Sequence, residues 1–384
     1  MFARTLELPR GAFFLFGPRG TGKSTWIRQR LGDALLVNLL QPENALRLER
    51  EPALFRAQAL ARQKSDWIVV DEIQRVPALL DEVHILMEQG YRRFALTGSS
   101  ARKLRRGAAN LLAGRAVLRT LFPLTAPEVD FSVPAAQRLR FGSMPLSVTA
   151  ANDHAREDFL RAFVTTYLAE EIRAEGLVRN LGSFSRFLDV AALAAGQTTN
   201  VSAVSRDAGV SRETARGYFD ILVDTLIGDW LPAYRPRAKV KEVAQPKFYW
   251  FDPGVLHAAA GGFDQPLPSD FDGVLLEHLV LHELKAYVHY HDLKGSLGYW
   301  ATPSGGEVDF VWWRGTTMTA IEVKAGRRFR QEYRAGIRSL GTGFKGTLRS
   351  WIVYRGTEEL KVDGTWVLPV EAFLERLHDG DILG

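Results

Sequence analysis

Residues 17–25 read GPRGTGKST, and no other run constrains the chain as much. They contain Gly17-x4-Gly22-Lys23-Ser24, directly after the apolar run AFFLF at 12–16. Such a short apolar run suits a strand buried in a parallel sheet. A strand, a glycine-rich turn and a helix in that order form a phosphate cradle. The glycines let backbone N–H groups turn inward, and the helix N-terminus adds positive dipole at the same point. In that geometry Lys23 reaches the β- and γ-phosphates of ATP and Ser24 ligates magnesium. Pro18, Arg19, Gly20, Thr21 and Thr25 complete the loop expected to wrap the nucleotide.

A partner motif follows at 66–72, DWIVVDE, an apolar strand ending in Asp71 and Glu72. An Asp at the C-terminal end of a parallel strand is placed to hold the P-loop magnesium. A Glu beside it is placed to orient or deprotonate the attacking water. The segment RRFALTGSS ends another strand in Thr97, Gly98, Ser99 and Ser100. Ser99 there is a candidate sensor of the γ-phosphate or of the water, the alternative being plain turn chemistry. ALLVNLL at 34–40 and RAVLRTLF at 115–122 read as two further strands. Elements alternating as βαβα predict a parallel sheet covered by helices.

The order GPRGTGKST, IVVDEIQ, LTGSSARKL, LAGR and LFPLT resembles a branch of bacterial and archaeal AAA-type ATPases. In that branch a second module, of formerly unknown function, follows the ATPase. The resemblance covers nearly the whole chain. It implies that Arg115, in LAGR, is a candidate sensor or trans-acting arginine finger, the alternatives being a structural or DNA-facing arginine. A finger needs neighbouring subunits to complete each ATP site, and hence a homo-oligomer.

The middle of the chain reads as helical. AREDFLRAFVTTYLAEEIRAE at 155–175 spaces Phe159, Phe163, Tyr167 and Leu168 along one helix face. Segment 200–227 fits a helix–turn–helix, with Asn200 capping a short helix, Gly209 in the turn and Ser211 capping a longer helix. The following stretch carries Arg235, Arg237, Lys239, Lys241 and Lys247 and suits a β-hairpin wing with a basic rim. Were the second helix to enter a major groove, Arg212, Glu213 and Arg216 would face the bases. Arg237, Lys239 and Lys241 are then the candidate DNA contacts of the wing. Packing or a protein partner is the other use of such a motif.

In the last third, 271–290 reads as a helix bearing Glu277, followed by strand-like runs GYWAT, GEVDFVWW and TAIEVKAG. Glu322 and Lys324 stand two apart on the third run and so share one face of a strand. Asp309 approaches from the adjoining run. Two carboxylates can hold magnesium, which lowers the pKa of a bound water and stabilises a charged phosphoryl transition state. The lysine can position the hydroxide or offset phosphate charge, and Glu277 can add a carboxylate. Glu307 is a spare acid. E-x-K also occurs at 283–285 and 359–361, but only Glu322-x-Lys324 follows an Asp-bearing strand. The set resembles the PD-(D/E)XK nuclease superfamily, some of whose members bind without cutting. A satisfied ion-pair cluster is the alternative.

Composition sets the limits. The 384 residues are 46% hydrophobic and 24% charged, ordinary for folded protein, with net charge +5. Five arginines and a lysine fall within 102–119 without an acid, and six basic residues against one acid within 324–338. These runs permit an anionic partner or simply form solvated faces. Absence of cysteine excludes disulfides and thiolate metal sites and fits a reducing cytoplasm. The first strand leaves no room for a signal peptide, and no apolar run nears the roughly 20 residues needed to span a bilayer.

The expected fold class is α/β multidomain. Residues 1–150 form an AAA-type P-loop parallel sheet, 151–250 a helical and winged-helix region, and 251–384 a nuclease-like α/β domain. The expected function is ATP-dependent DNA processing with ATP and magnesium as cofactors. Its rivals are a DNA-dependent motor with an inactive nuclease fold and a nucleotide-switched scaffold that binds protein.

Overall fold

The computed structural model describes residues 2–99, 111–168, 180–235 and 245–383. The chain divides into two compact units, Ala3–Phe122 with Asp224–Ile227, and Met1–Phe2 with Pro123–Val223 and Gly228–Gly384.

The first unit alternates β1 (Phe13–Phe16), α1 (Lys23–Arg30), β2 (Leu35–Asn38), α2 (Pro42–Arg50), α3 (Ala53–Leu60), β3 (Ile68–Asp71), α4 (Leu79–Glu88), β4 (Phe94–Gly98) and β5 (Val117–Thr120). All five strands are parallel, in the order β2-β3-β4-β1-β5. Every residue of the three inner strands is buried, whereas β2 and β5 at the edges are partly exposed. That explains why the inner strands are uniformly apolar until their last residues: helices cover both faces. Phe14, Val70 and Leu96 meet Phe55, Val83 and Leu86 of the helices in one core. Register places Phe16 opposite Gly98 and Val70 opposite Leu96. The P-loop, Asp71 and the Thr97–Ser99 turn therefore leave the sheet at one edge, where open parallel sheets bind ligands.

The second unit begins with α5 (Ala135–Phe141), α6 (Pro145–Val148), α7 (Asp153–Ala162) and α8 (Leu181–Leu193). After α7 the chain makes a π turn at Phe163–Tyr167, where an unbroken α-helix was expected from the apolar spacing. The rest of that expected helix, 169–179, lies outside the described residues. Next come α9 (Val201–Asp207), α10 (Arg212–Asp224), β6 (Gly228–Leu231) and β7 (Lys247–Trp250). Asn200 caps α9 by accepting from the N–H groups of Ser202 and Ala203, and Ser211 accepts from the Thr214 N–H at the start of α10. Gly209, at φ +66°, makes the turn between them in a conformation that favours glycine. β6 and β7 pair antiparallel.

After α11 (Pro253–Ala259) and α12 (Phe271–Tyr290), a six-stranded mixed sheet closes the unit. It contains β8 (Ser296–Ala301), β9 (Glu307–Arg314), β10 (Thr317–Lys324), β11 (Thr347–Tyr354), β12 (Leu360–Val362) and β13 (Thr365–Pro369), in the order β12-β13-β11-β10-β9-β8. β8, β9 and β10 are antiparallel neighbours, and β11 joins β10 in parallel. α13 (Ala335–Gly343) packs on β9, and α14 (Val370–His378) on β11 and β13. α12 packs on β10 and is buried nearly all round, as its run of Leu275, Leu276, Leu279, Val280 and Leu284 requires. Among the described residues, no helix is long and apolar enough to cross a membrane.

Candidate functional site

The P-loop turns through left-handed backbone at Gly20 and Gly22. A Cβ on Gly17 would lie 2.4 Å from the Leu121 carbonyl oxygen, so only glycine fits where β1 enters the loop. Lys23, the first residue of α1, is buried, and its ammonium donates to the carbonyl oxygens of Gly17 at 2.7 Å and Pro18 at 3.1 Å. Thr21 donates to the Pro18 carbonyl at 2.8 Å and braces the turn. Arg19, Gly20 and Thr25 lie at the exposed side of the loop.

The expected magnesium ligands meet. Ser24 Oγ donates to Asp71 Oδ2 at 2.9 Å, and Thr97 Oγ1 donates to Asp71 Oδ1. A hydroxyl and a carboxylate at the mouth of a phosphate cradle suit a hard divalent cation. Glu72 stands at φ +61°, a left-handed conformation costing a non-glycine residue roughly 1–2 kcal/mol. That strain turns the chain sharply after β3 and carries the Glu72 side chain toward the end of β4. Its carboxylate accepts from the Gln74 amide, from Ser99 Oγ at 3.2 Å and from the Ser99 N–H at 3.4 Å. Gln74 is a site residue that sequence reasoning missed, because one glutamine two residues past an acidic pair carries no pattern. Ser100 lies outside the described residues.

Glu72→Gln neutralises the carboxylate expected to act as the base while keeping its size. It is expected to slow ATP hydrolysis by ~10²-fold or more, the usual range for losing a general base. ATP affinity should stay within a few-fold, as equilibrium binding of a fluorescent ATP analogue would register.

Arg115 is exposed and pairs with Glu88 at the end of α4, and this arginine holds the Glu88 carboxyl below its ordinary pKa.

In the second unit, β9 and β10 bring the expected C-terminal residues together. Lys324 Nζ lies 2.5 Å from Glu322 Oε1 and 3.8 Å from Asp309 Oδ2. Asp309 also accepts from the Val323 N–H at 2.8 Å, which locks its carboxylate against β10. Glu277, on α12, accepts from the Tyr249 hydroxyl at 2.9 Å. Burial, reinforced by the Asp309 charge, raises the Glu277 carboxyl to about 8. Burial and the same Asp309 charge hold Glu322 well above the ordinary carboxylate range despite Lys324. Glu307 pairs with Lys247 at 2.5 Å.

Lys247 and Tyr249 enter from β7, and sequence reasoning missed both. Lys247 was expected on the exposed basic rim of a wing, but it is only 3% exposed. KFYW alternates so that positions 247 and 249 share one strand face. That face turns to the carboxylates, a contact no local pattern records. Burial draws the Lys247 ammonium pKa down, but Glu277, Asp309 and Glu307 outweigh it and hold the group above its usual value.

Among the described residues, no three His, Asp or Glu side chains form a ready-made metal site. Ammonium groups of Lys247 and Lys324 stand among the carboxylates. Glu322 Oε2 is buried without a hydrogen-bond partner, an oxygen that a hard cation could take.

On α10, Arg212 and Arg216 are exposed one turn apart. They line a hollow of about 340 Å³ together with Asn200, Phe219 and Trp230. The other expected DNA contacts, Arg237, Lys239 and Lys241, lie outside the described residues.

Residues 9–129 match the family described as AAA domain. Residues 135–266 and 272–373 match two domains of unknown function, DUF8612 and DUF4143. Uncharacterized proteins of Mycobacterium bovis and Mycobacterium tuberculosis are each 30% identical over 303 residues, covering 77% of this chain and 66% of theirs. The chain thus spans just under two thirds of the length of these curated relatives. A solved Walker-type ATPase of Pyrococcus abyssi is similar over 65% of this chain and 90% of its own, at 14% identity and a TM-score of 0.44. The family match over 9–129 coincides with the parallel sheet, the P-loop and the Ser24–Asp71 pair, and supports an ATPase of the AAA type in this part of the chain.

Proposed function

We propose that the chain is an ATP-dependent DNA-processing protein whose C-terminal sheet carries a metal-dependent phosphodiesterase site of the PD-(D/E)XK kind. The observation that carries this reading is the meeting of Asp309, Glu322 and Lys324 on two adjacent strands, with Glu277 contributed by α12. In the reading, Asp309 and Glu322 hold a magnesium ion, which supplies an activated water when bound. Lys324, the more exposed of the two lysines, positions that water or offsets phosphate charge. Arg327, Arg328 and Arg330 follow Lys324 directly and are exposed, as a surface that tracks a phosphate backbone requires. Arg212 and Arg216 on α10 are the proposed DNA contacts of a winged helix. Arg115 is proposed as an arginine finger acting across a homo-oligomer, its exposure leaving it accessible to a neighbour.

A second reading, a DNA-dependent motor whose C-terminal site does not cut, is favoured by the lysines that already neutralise part of the carboxylate cluster. Incubating the protein with radiolabelled linear and branched DNA in manganese separates the two. Cleavage is expected from the wild type and at least ~10²-fold less from Lys324→Ala, with ATP hydrolysis unchanged. Cleavage that survives Lys324→Ala would sink the site assignment, and a wild type that never cuts would favour the motor.

A further inference from the structure

Across the last strands of the C-terminal sheet, a lysine and two tryptophans stand in one row. Lys361 on β12 is opposite Trp366 on β13, and Trp366 is opposite Trp351 on β11. The two indoles are nearly parallel, at 13°, with ring centres 6.3 Å apart. Residues in register share a face, and Trp351 is in register with Ile321 of β10. The indoles therefore lie on the face of the sheet away from Glu322 and Lys324.

Trp366 gathers positive charge. Lys361 Nζ lies 4.8 Å from its ring centre, and the Arg376 guanidinium of α14 lies 4.6 Å from it. Like charges repel, and the negative face of an indole offsets part of that repulsion. Cations held on a ring have given up side-chain freedom before a ligand arrives, which lowers the cost of binding one. Arg376 is also paired with Glu359, whereas Lys361 makes no ion pair among the described residues. Arg349 on β11 is oriented by the main-chain carbonyl of Asp381, to which it donates. These three cations line a hollow of about 360 Å³ together with Ser350 and the two indoles. Among the described residues that line it, Asp381 is the sole acid. Three cationic donors around one hollow suit an anion with several acceptor oxygens, and a phosphate group has them.

We propose that this hollow is a phosphate-binding site, whose ligand is either a phosphate of a nucleic-acid backbone or a free phosphate ion. It requires neither the P-loop nor the carboxylate cluster, so its failure would leave the ATPase and phosphodiesterase readings untouched.

Two probes of the full chain, both without magnesium, distinguish the sources. One is a fluorescein-labelled single-stranded oligonucleotide followed by anisotropy. The other is inorganic phosphate followed by phosphorus NMR linewidth, in a Lys23→Ala background that silences the P-loop. Lys361→Ala is expected to weaken oligonucleotide binding about 5-fold in roughly 0.1 M salt, the amount that one phosphate contact contributes on a single strand. Trp366→Leu removes no charge but releases both cations, and is expected to weaken binding by a similar factor. Lys294→Ala, which removes an exposed cation elsewhere in the unit, is expected to leave it unchanged. Loss of inorganic phosphate binding alone in Lys361→Ala would identify the free ion as the ligand. Both probes bound equally by wild type and Lys361→Ala would overturn the proposal, as would an equal loss in Lys294→Ala. Should Trp366→Leu fail to fold by thermal melting, Lys361→Ala decides alone.

Discussion

Lys23→Ala is expected to abolish measurable ATP hydrolysis and to weaken nucleotide binding about 100-fold. Lys23 opens α1 beside the carbonyl groups of the loop. There the Lys23 ammonium spends its hydrogen bonds on the carbonyl oxygens of Gly17 and Pro18. Binding exchanges those neutral acceptors for charged phosphate oxygens. Both sets are charge-assisted, but phosphate oxygens add a coulombic attraction that carbonyl oxygens lack, so the exchange is favourable. A net gain of about 2.7 kcal/mol corresponds to the expected factor of about 100. Hydrolysis falls further, because charge on the phosphoryl oxygens is stabilised in the transition state by the same ammonium. Calorimetric titration with ATP measures the first quantity and phosphate release the second. Unchanged ATP affinity in a folded Lys23→Ala protein would remove the P-loop from the account.

The largest stability effect is expected at Glu283, which is fully buried in α12. Its carboxylate accepts from the Arg138 guanidinium, from His378 Nε2 at 2.7 Å and from the Ala126 N–H at 3.0 Å. Removing it strands Arg138, whose side chain is 2% exposed, as an unpaired buried cation. Glu283→Ala should therefore destabilise the unit by about 3–5 kcal/mol, the usual cost of breaking a buried pair on one side. By contrast, Glu332→Ala breaks an exposed pair with Arg330 and should cost at most about 1 kcal/mol. Burial alone would raise the Glu283 pKa, but Arg138 and His378 lower it from 4.5 to about 2. A depressed folded-state pKa means the contribution is fully present above pH 4.5 and is lost as pH falls toward 2. Urea unfolding followed across that window should show the wild type losing an advantage that Glu283→Ala never had. Equal acid sensitivity in the two proteins would contradict the assignment.

What was legible in the sequence followed from how local each signal was. The P-loop, Asp71 and the strand ends could be read because the inner strands are apolar on both faces, so their first polar residues mark the ligand-binding edge. Glu322 and Lys324 were legible because two-residue spacing on a strand fixes a shared face, and Asp309 because the adjoining strand is next in sequence. Lys247 was not, since its place depends on β7 meeting strands far along the chain. Read locally it looked like one more cation on a basic wing. Glu283 was similarly misleading. As part of a second E-x-K on a helix it looked incidental, and its importance comes from Arg138 and His378, both distant in sequence. The turn at Glu72 was hidden because non-glycine left-handed backbone leaves no compositional trace, unlike Gly20 and Gly22.

Coupling of ATP turnover to DNA separates the proposed function from a nucleotide-switched scaffold. The most direct measurement is phosphate release at low salt, with and without linear and branched DNA. DNA is expected to stimulate turnover, with the stimulation falling steeply as salt rises because phosphate contacts dominate such binding. The DNA form that stimulates most would identify the substrate structure. Slow turnover that no DNA changes at any salt concentration would contradict the account and point to a nucleotide-switched protein that acts on a protein partner.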